Sequence, residues 1–130
     1  MSAYDIEFTV HKKNWLTLNK SLHWAERARR TKVLRRLGAW QARALQLPKM
    51  ERARIIAWIQ YPTARRADPH NASPTIKALI DGLIDYGVLP DDNSEHLEGP
   101  DPRRAPGKSA KDNYGVRMLV IPLDGEGGDQ

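Results

Sequence analysis

A chain of 130 residues, 40% hydrophobic and 28% charged, has the size and composition of one ordinary globular domain, which argues against a division of labour between two domains. It contains no cysteine, excluding disulfides, thiolate metal sites and a cysteine nucleophile, and no apolar run approaches the roughly 20 residues of a membrane helix. The net charge of +5 is unevenly spread: residues 1–60 hold 13 Lys and Arg against 4 Asp and Glu, whereas residues 61–130 hold 8 against 12. A basic half suits a polyanionic partner, and an acidic half could hold a cation against it.

The first residues, Met1-Ser-Ala-Tyr-Asp, carry no basic-then-apolar leader. Together with the lack of cysteine, this sets the expectation of a cytoplasmic protein without membrane association. Asp5 to Val10 alternates polar and apolar residues, which predicts a half-buried strand. His11 to Asn19 reads as a basic loop, with Trp15 as the tryptophan placed to meet a nucleic acid. From Ser21 to about Leu47 a proline-free run predicts one long amphipathic helix, with Trp24, Ala28, Leu34, Leu37, Trp40, Ala44 and Leu47 as its inner stripe. Its outer face carries Arg27, Arg29, Arg30, Lys32, Arg35, Arg36 and Arg43, and Pro48 ends it.

Arg54 to Tyr61 is β-branched and aromatic, which predicts a central strand with Trp58 in the core, ended by Pro62. A loop spans Thr63 to Ala72. Ser73 is placed to cap a second helix, with Pro74 at its first position, Ile76, Leu79, Ile80, Leu83 and Ile84 along its inner stripe, and Gly87 as its left-handed terminator. His96 to Gly99 is a weak strand, Pro100 to Lys111 a mobile loop, Gly115 to Pro122 a strand, and 124–130 a disordered tail. The order β, α, β, α, (β), β predicts one α+β domain over 1–123, a small mixed sheet of about four strands with two helices packed on one face.

The densest cluster of chemical side chains is Arg65, Arg66, Asp68, His70 and Asn71, then Lys77 and Asp81, then Asp91, Asp92 and Asn93. Phosphodiester hydrolysis needs an activated water, neutralised phosphate charge and help for the leaving oxygen, and a divalent cation on carboxylates supplies all three. Asp68, read as the end of a strand, with Asp91 or Asp92 returning after a helix, makes a reasonable carboxylate pair for Mg²⁺. Lys77, near the positive end of its helix, suits the phosphate. Each piece also has an ordinary reading: Asp68-Pro69 and Pro90-Asp-Asp-Asn are turn signatures, and Lys77 with Asp81 is a common helix-surface pair worth about 0.2–0.5 kcal/mol. His70-Asn71 is also a fragment of an HNH-type nuclease, but that site needs a further His in a ββα unit, and His96 lies beyond a helix.

The assembly of these pieces resembles the RusA family of Holliday junction resolvases. The family pattern has arginines ahead of Asp-x-Asp-Asn, a helical Lys, an Asp one turn on, a Gly ending the helix and an Asp-Asp pair. The matching stretch here is Arg65-Arg-Ala-Asp68-Pro-His70-Asn71, Lys77, Asp81, Gly87 and Asp91-Asp92. Upstream, Leu18-Asn19 followed by His23-Trp24 is similar to the N-terminal loop of phage-encoded RusA-like proteins, so the resemblance runs from Val10 to about Asp101. It implies a homodimer that nicks opposing strands of four-way or other branched DNA with Mg²⁺, its twofold axis matching the junction's. Asp68, Lys77 and Asp92 take the catalytic positions. Asp68 and Asp92, with Asp91 and His70 beside them, take the metal positions. Asn19, Arg27, Arg30, Arg65, Arg66 and Asn71 are the expected DNA contacts.

Two departures stand out. His70 occupies the place of the second acid, and three extra residues separate Asn71 from Lys77. A hard cation prefers oxygen, so either Asp68 and Asp92 suffice or Mn²⁺ is better tolerated. The alternative is a branched-DNA-binding protein that keeps the fold and has lost activity through His70. A helix from Pro74 to Tyr86 spans about 18–20 Å, so Lys77 and Asp92 meet only if the chain doubles back over 87–92, and otherwise the site is completed across the dimer.

Overall fold

The polar–apolar alternation near the N-terminus does form a strand, β1 (Tyr4–His11), in the computed structural model, which describes residues 2–123. Next come helix α1 (Trp24–Ala44), strand β2 (Ala53–Gln60), helix α2 (Ser73–Tyr86), strand β3 (Leu97–Arg104) and strand β4 (Asn113–Pro122). The strands form one mixed sheet in the order β1-β4-β2-β3, antiparallel except for the β2–β3 pair, which α2 connects as a crossover. The segment from Asp124 onward, expected to be a disordered tail, lies outside the described residues.

Strand periodicity sends alternate side chains to opposite faces, and register decides which rows meet. Ile6 pairs with Met118 and Met118 with Ala57; Phe8 pairs with Val116 and Val116 with Ile59. All six are buried. Both helices cover this face with Leu34, Ile76, Leu79, Ile80 and Leu83, so the expected α+β architecture with two helices on one side of a four-stranded sheet is what the chain adopts.

Several local expectations need correction. The first helix begins at Trp24 rather than Ser21, because the His23 imidazole accepts from the Ala25 N–H and caps it, and it ends at Ala44, where Gln46 turns left-handed at φ 51° ahead of Pro48. Trp24 and Trp40 are not core: they are 76% and 66% exposed, and Ala28 and Ala44 also face outward. Of the expected stripe on α1, Leu34 is buried and Leu37 packs against the core, and Gly38 and Ala42 complete the buried face. Trp58 is half-buried on the open face of the sheet, with the Arg117 guanidinium 5.5 Å from its ring. Finally, the weak strand at His96 runs on into the first part of the expected loop, as far as Arg104, to make β3, whose prolines 100 and 102 are tolerated because it is a sheet edge; 105–111 stays outside any strand.

The departure on α1 has its cause in how the helices meet. A Cβ on Gly38 would lie 2.2 Å from the Leu79 carbonyl oxygen, and one on Gly82 would lie 2.1 Å from the Arg35 carbonyl oxygen. The backbones touch, so the crossing selects the smallest side chains, while a stripe drawn through large apolar residues points elsewhere. Helix α2 follows its pattern more closely: the Ile/Leu stripe is buried and Gly87 ends the helix at φ 110°. Ser73, however, is the first helical residue rather than the cap; the cap is Ala72, without a side-chain hydrogen bond.

Overpacking a close crossing costs about 1–3 kcal/mol. Gly82→Ala and Gly38→Ala are expected at or above the top of that range in urea denaturation. Gly115→Ala, whose added carbon would meet Gln60 at ordinary contact distance, is the control and should shift stability by less than about 1 kcal/mol.

Candidate active site

Three segments converge at the start of α2. The first is the basic loop after β1. Its Leu16 N–H donates to Thr75 Oγ1 at 2.8 Å, and the same hydroxyl donates back to the Leu16 carbonyl at 2.8 Å. Thr75 is fully buried, so a polar group that would be costly there is satisfied in both senses. The Leu18 N–H adds a bond to the Asn71 carbonyl. Thus the loop bearing Asn19 is pinned against the segment bearing Asn71.

The second segment is the loop from Tyr61 to Asp68. Asp68 does not end a strand, since β2 stops at Gln60. It caps a short 3-10 turn, Pro69–Ala72, its Oδ1 accepting from the His70 N–H at 3.0 Å and lying 3.3 Å from His70 Nδ1. The His70 backbone N–H, and then its ring, hold the Asp68 carboxyl below its usual range. Arg104, at the end of β3, braces this loop: it donates to the carbonyls of Arg65 and Thr63, and its guanidinium lies 4.7 Å from the centre of the Tyr61 ring.

The third segment is the return after α2. The chain does double back: Val88 and Leu89 are buried, and the Val88 carbonyl accepts from the Met50 N–H. This brings Asp92 to Lys77 within one chain. Lys77 Nζ lies 2.8 Å from Asp92 Oδ2 and 3.4 Å from both oxygens of Asp81. The bond from Lys77 is the main reason that the Asp92 carboxyl titrates below its usual range, and the bond to Asp92 is the main reason that the lysine titrates above its own. Asp91 acts on the backbone instead. Its Oδ1 accepts from the Asp92 N–H at 2.7 Å, shaping the turn that presents Asp92.

Two clefts flank this junction and meet at the consecutive residues Ala72 and Ser73. One, of about 440 Å³, contains Lys77, Asp92 and Pro100. The other, of about 500 Å³, contains Asp68, Asn19, Asn71, Arg65 and Arg66. The expected site residues therefore fall into two groups: Asp68 with His70, and Asp81 and Asp92 on either side of Lys77, with Asp91 in the turn that presents Asp92. Among the described residues, no three His, Asp or Glu side chains make a ready-built metal cage.

The arginines divide into two groups. Arg30, expected to touch DNA, is mostly buried, with 15% of its side chain exposed, and donates to Glu26 and to the Trp15 carbonyl. With Arg29 it lowers the Glu26 carboxyl to about 2. Arg35 is bound to Asp85, so Asp85 links the two helices. Arg27, Arg65 and Arg66, by contrast, are exposed and make no ion pair among the described residues. Trp15 is not a free stacking platform: it is 7% exposed, with its ring stacked on Tyr114 at 3.9 Å. Tyr61, Tyr114, Arg104 and Thr75 are the site neighbours that residue type and spacing in the sequence did not single out.

No protein-family model and no curated protein matches this chain. No helix among the described residues is long and apolar enough to cross a membrane.

The lysine contact sets a linkage with definite signs. Asp92, whose folded pKa is depressed, contributes stability above its ordinary value of 3.8 and loses it as pH falls through the folded value. Lys77, whose folded pKa is raised, contributes fully below 10.5 and loses its share as pH rises through the folded value. In Asp92→Asn, the Lys77 amine followed by NMR should titrate at lower pH than in wild type. An unchanged midpoint would show that the contact is not made in solution.

Proposed function

We propose that this protein is a metal-dependent endodeoxyribonuclease that cuts four-way or otherwise branched DNA, the activity of the RusA-like resolvases that its sequence resembles. The observation that carries the reading is the return of Asp92 onto Lys77, one turn into the helix that follows the Asp68–His70 turn. A fixed ammonium and separated carboxylates beside exposed arginines are what hydrolysis of a phosphodiester asks for.

Mg²⁺ commonly binds through one or two carboxylates, completing its shell with water and phosphate oxygens. Asp68 and Asp92 fit that demand in donor type, with Asp91 placing Asp92. Bound there, the cation would supply the polarised water and offset charge on the phosphorane-like transition state. Lys77 remains protonated at neutral pH and neutralises a non-bridging phosphate oxygen. The α2 N-terminus adds partial positive charge to the same phosphate. Arg27, Arg65 and Arg66, with Asn19 and Asn71, hold the flanking DNA. A homodimer working in the bacterial or phage-infected cytoplasm would place two such sites about a twofold axis, matching paired nicks in a symmetric junction.

A second reading is favoured by His70, which engages one oxygen of Asp68 through both its N–H and its ring. In this reading the fold binds branched DNA without cutting it. His70→Asp separates the two: a gain of cleavage from an inactive wild type supports loss through His70, while cleavage by wild type in Mg²⁺ or Mn²⁺ excludes it.

Under the nuclease reading, Lys77→Ala should slow junction cleavage by about 10²–10³-fold, the usual loss when one charge-stabilising donor is removed. Asp68→Asn and Asp92→Asn should cut far more slowly while still binding junctions. Wild-type cleavage rates in Asp92→Asn would overturn its role.

Binding should follow the division of the arginines. Arg27→Ala, Arg65→Ala and Arg66→Ala should each reduce the slope of log affinity against log salt by about 1, with little change in stability. Arg30→Ala should instead lower the thermal midpoint. Equal salt slopes for all four variants would contradict the assignment.

A further inference from the structure

The larger cleft, beside Asp68, has a construction that metal chemistry does not explain. Its inner wall is aromatic: the stacked rings of Trp15 and Tyr114, with Tyr61 set edge-on to Tyr114 at 5.9 Å. Its sides carry the side-chain amides of Asn19 and Asn71. Neither amide has a hydrogen-bond partner among the described residues, although the backbones of both segments are tied down. Its rim carries the guanidinium groups of Arg65 and Arg66, which make no ion pair among the described residues. Two amides that offer paired donors and acceptors, an apolar aromatic wall and two cations at the mouth make three kinds of recognition in one concavity. Its volume of about 500 Å³ lies within the roughly 300–1,000 Å³ of small-molecule sites, and it is a pocket rather than a surface that could follow a duplex groove.

We infer that this cleft takes a single unpaired nucleotide of the DNA strand: the base lies against the Tyr61 and Tyr114 wall with its edge read by Asn19 and Asn71, and its phosphate lies between Arg65 and Arg66. Asparagine amides match base edges in donor and acceptor pattern, and unstacked bases are read in this way when they leave a helix. Thr75 is the positioning residue, because its two bonds to Leu16 fix the loop that carries Asn19. The cleft adjoins the Lys77–Asp92 cleft at Ala72 and Ser73, so a nucleotide held here puts a neighbouring phosphate toward Lys77. The inference deepens the nuclease reading by assigning the residues that select the cut position, and it rests on that reading only for this last step.

The test uses the full chain and short single-stranded homo-oligonucleotides of thymidine and cytidine, with a linear duplex of equal length for comparison. Affinity is measured by fluorescence anisotropy. Contacts are mapped by irradiating a 4-thiothymidine oligonucleotide and sequencing the cross-linked peptides. Single strands should bind more tightly than duplex, with cross-links in the peptides bearing Trp15 to Asn19, Tyr61 to Asn71 or Tyr114. Asn71→Ala combined with Asn19→Ala, folded by circular dichroism, should weaken single-strand binding by about tenfold. Thr75→Ser should retain binding that Thr75→Val loses. Cross-links confined to α1, or amide variants that bind as wild type does, would overturn the inference, as would tighter capture of a phosphorylated peptide than of any oligonucleotide. The two readings fail separately: a chain that cuts junctions but does not cross-link in the cleft sinks only the nucleotide pocket, and one that cross-links there but never cuts sinks only the nuclease.

Discussion

The backbone contact between Gly38 and Gly82 is the constraint on which the remaining geometry depends. With their backbones touching, α1 and α2 fit side by side on one face of a four-stranded sheet. Helix α2 then lies deep enough for Thr75 to be fully buried and to reach the loop after β1. Two residues on, Lys77 is exposed on the opposite side of the helix, where Asp92 returns to meet it. Any widening of the crossing would move the helix that carries both the loop anchor and the lysine, so the geometry of the candidate site is inherited from packing between two small residues.

Charge is partitioned by the same packing. Arginines near the core are consumed by it: Arg30 closes the α1 start against Trp15, Arg35 joins α1 to α2 through Asp85, and Arg104 supports the Tyr61 loop. Among those that packing does not reach are Arg27, Arg65 and Arg66, which make no ion pair among the described residues. Two of them, Arg65 and Arg66, line the cleft that holds Asp68. A basic half of a chain is therefore not a uniform footprint for a polyanion, because part of its charge is already engaged in ion pairs and packing.

Much of the fold is legible in the sequence because strand alternation and the α2 stripe are strong periodic signals; Ile6, Phe8, Val10, Ile76, Leu79 and Leu83 all lie where the pattern predicts. Helix α1 departs from its pattern in detail, since Trp24 and Trp40 mark hydrophobicity while the real contact needs Gly38 and Ala42. Strand β3 is obscured by its two prolines, which only an edge position permits. Of the candidate site, the spacing of Lys77 and Asp81 is readable from helix geometry, but the approach of Asp92 depends on where Val88 and Leu89 are buried. Tyr114 and Thr75 carry no signal, because a stack and a hydrogen bond spanning 59 residues in sequence exist only once the sheet has assembled.

Hydrolysis of branched DNA at the Lys77–Asp92 and Asp68 positions is tested most directly by incubating the wild-type protein with a mobile four-way junction, end-labelled on each strand in turn, with Mg²⁺, with Mn²⁺ and with chelator alone. Symmetric nicks on opposing strands are expected in the presence of metal, none with chelator, and little cutting of a linear duplex of the same sequence. A junction that is bound yet remains intact in both metals, or is cut equally well with chelator, would contradict the nuclease assignment.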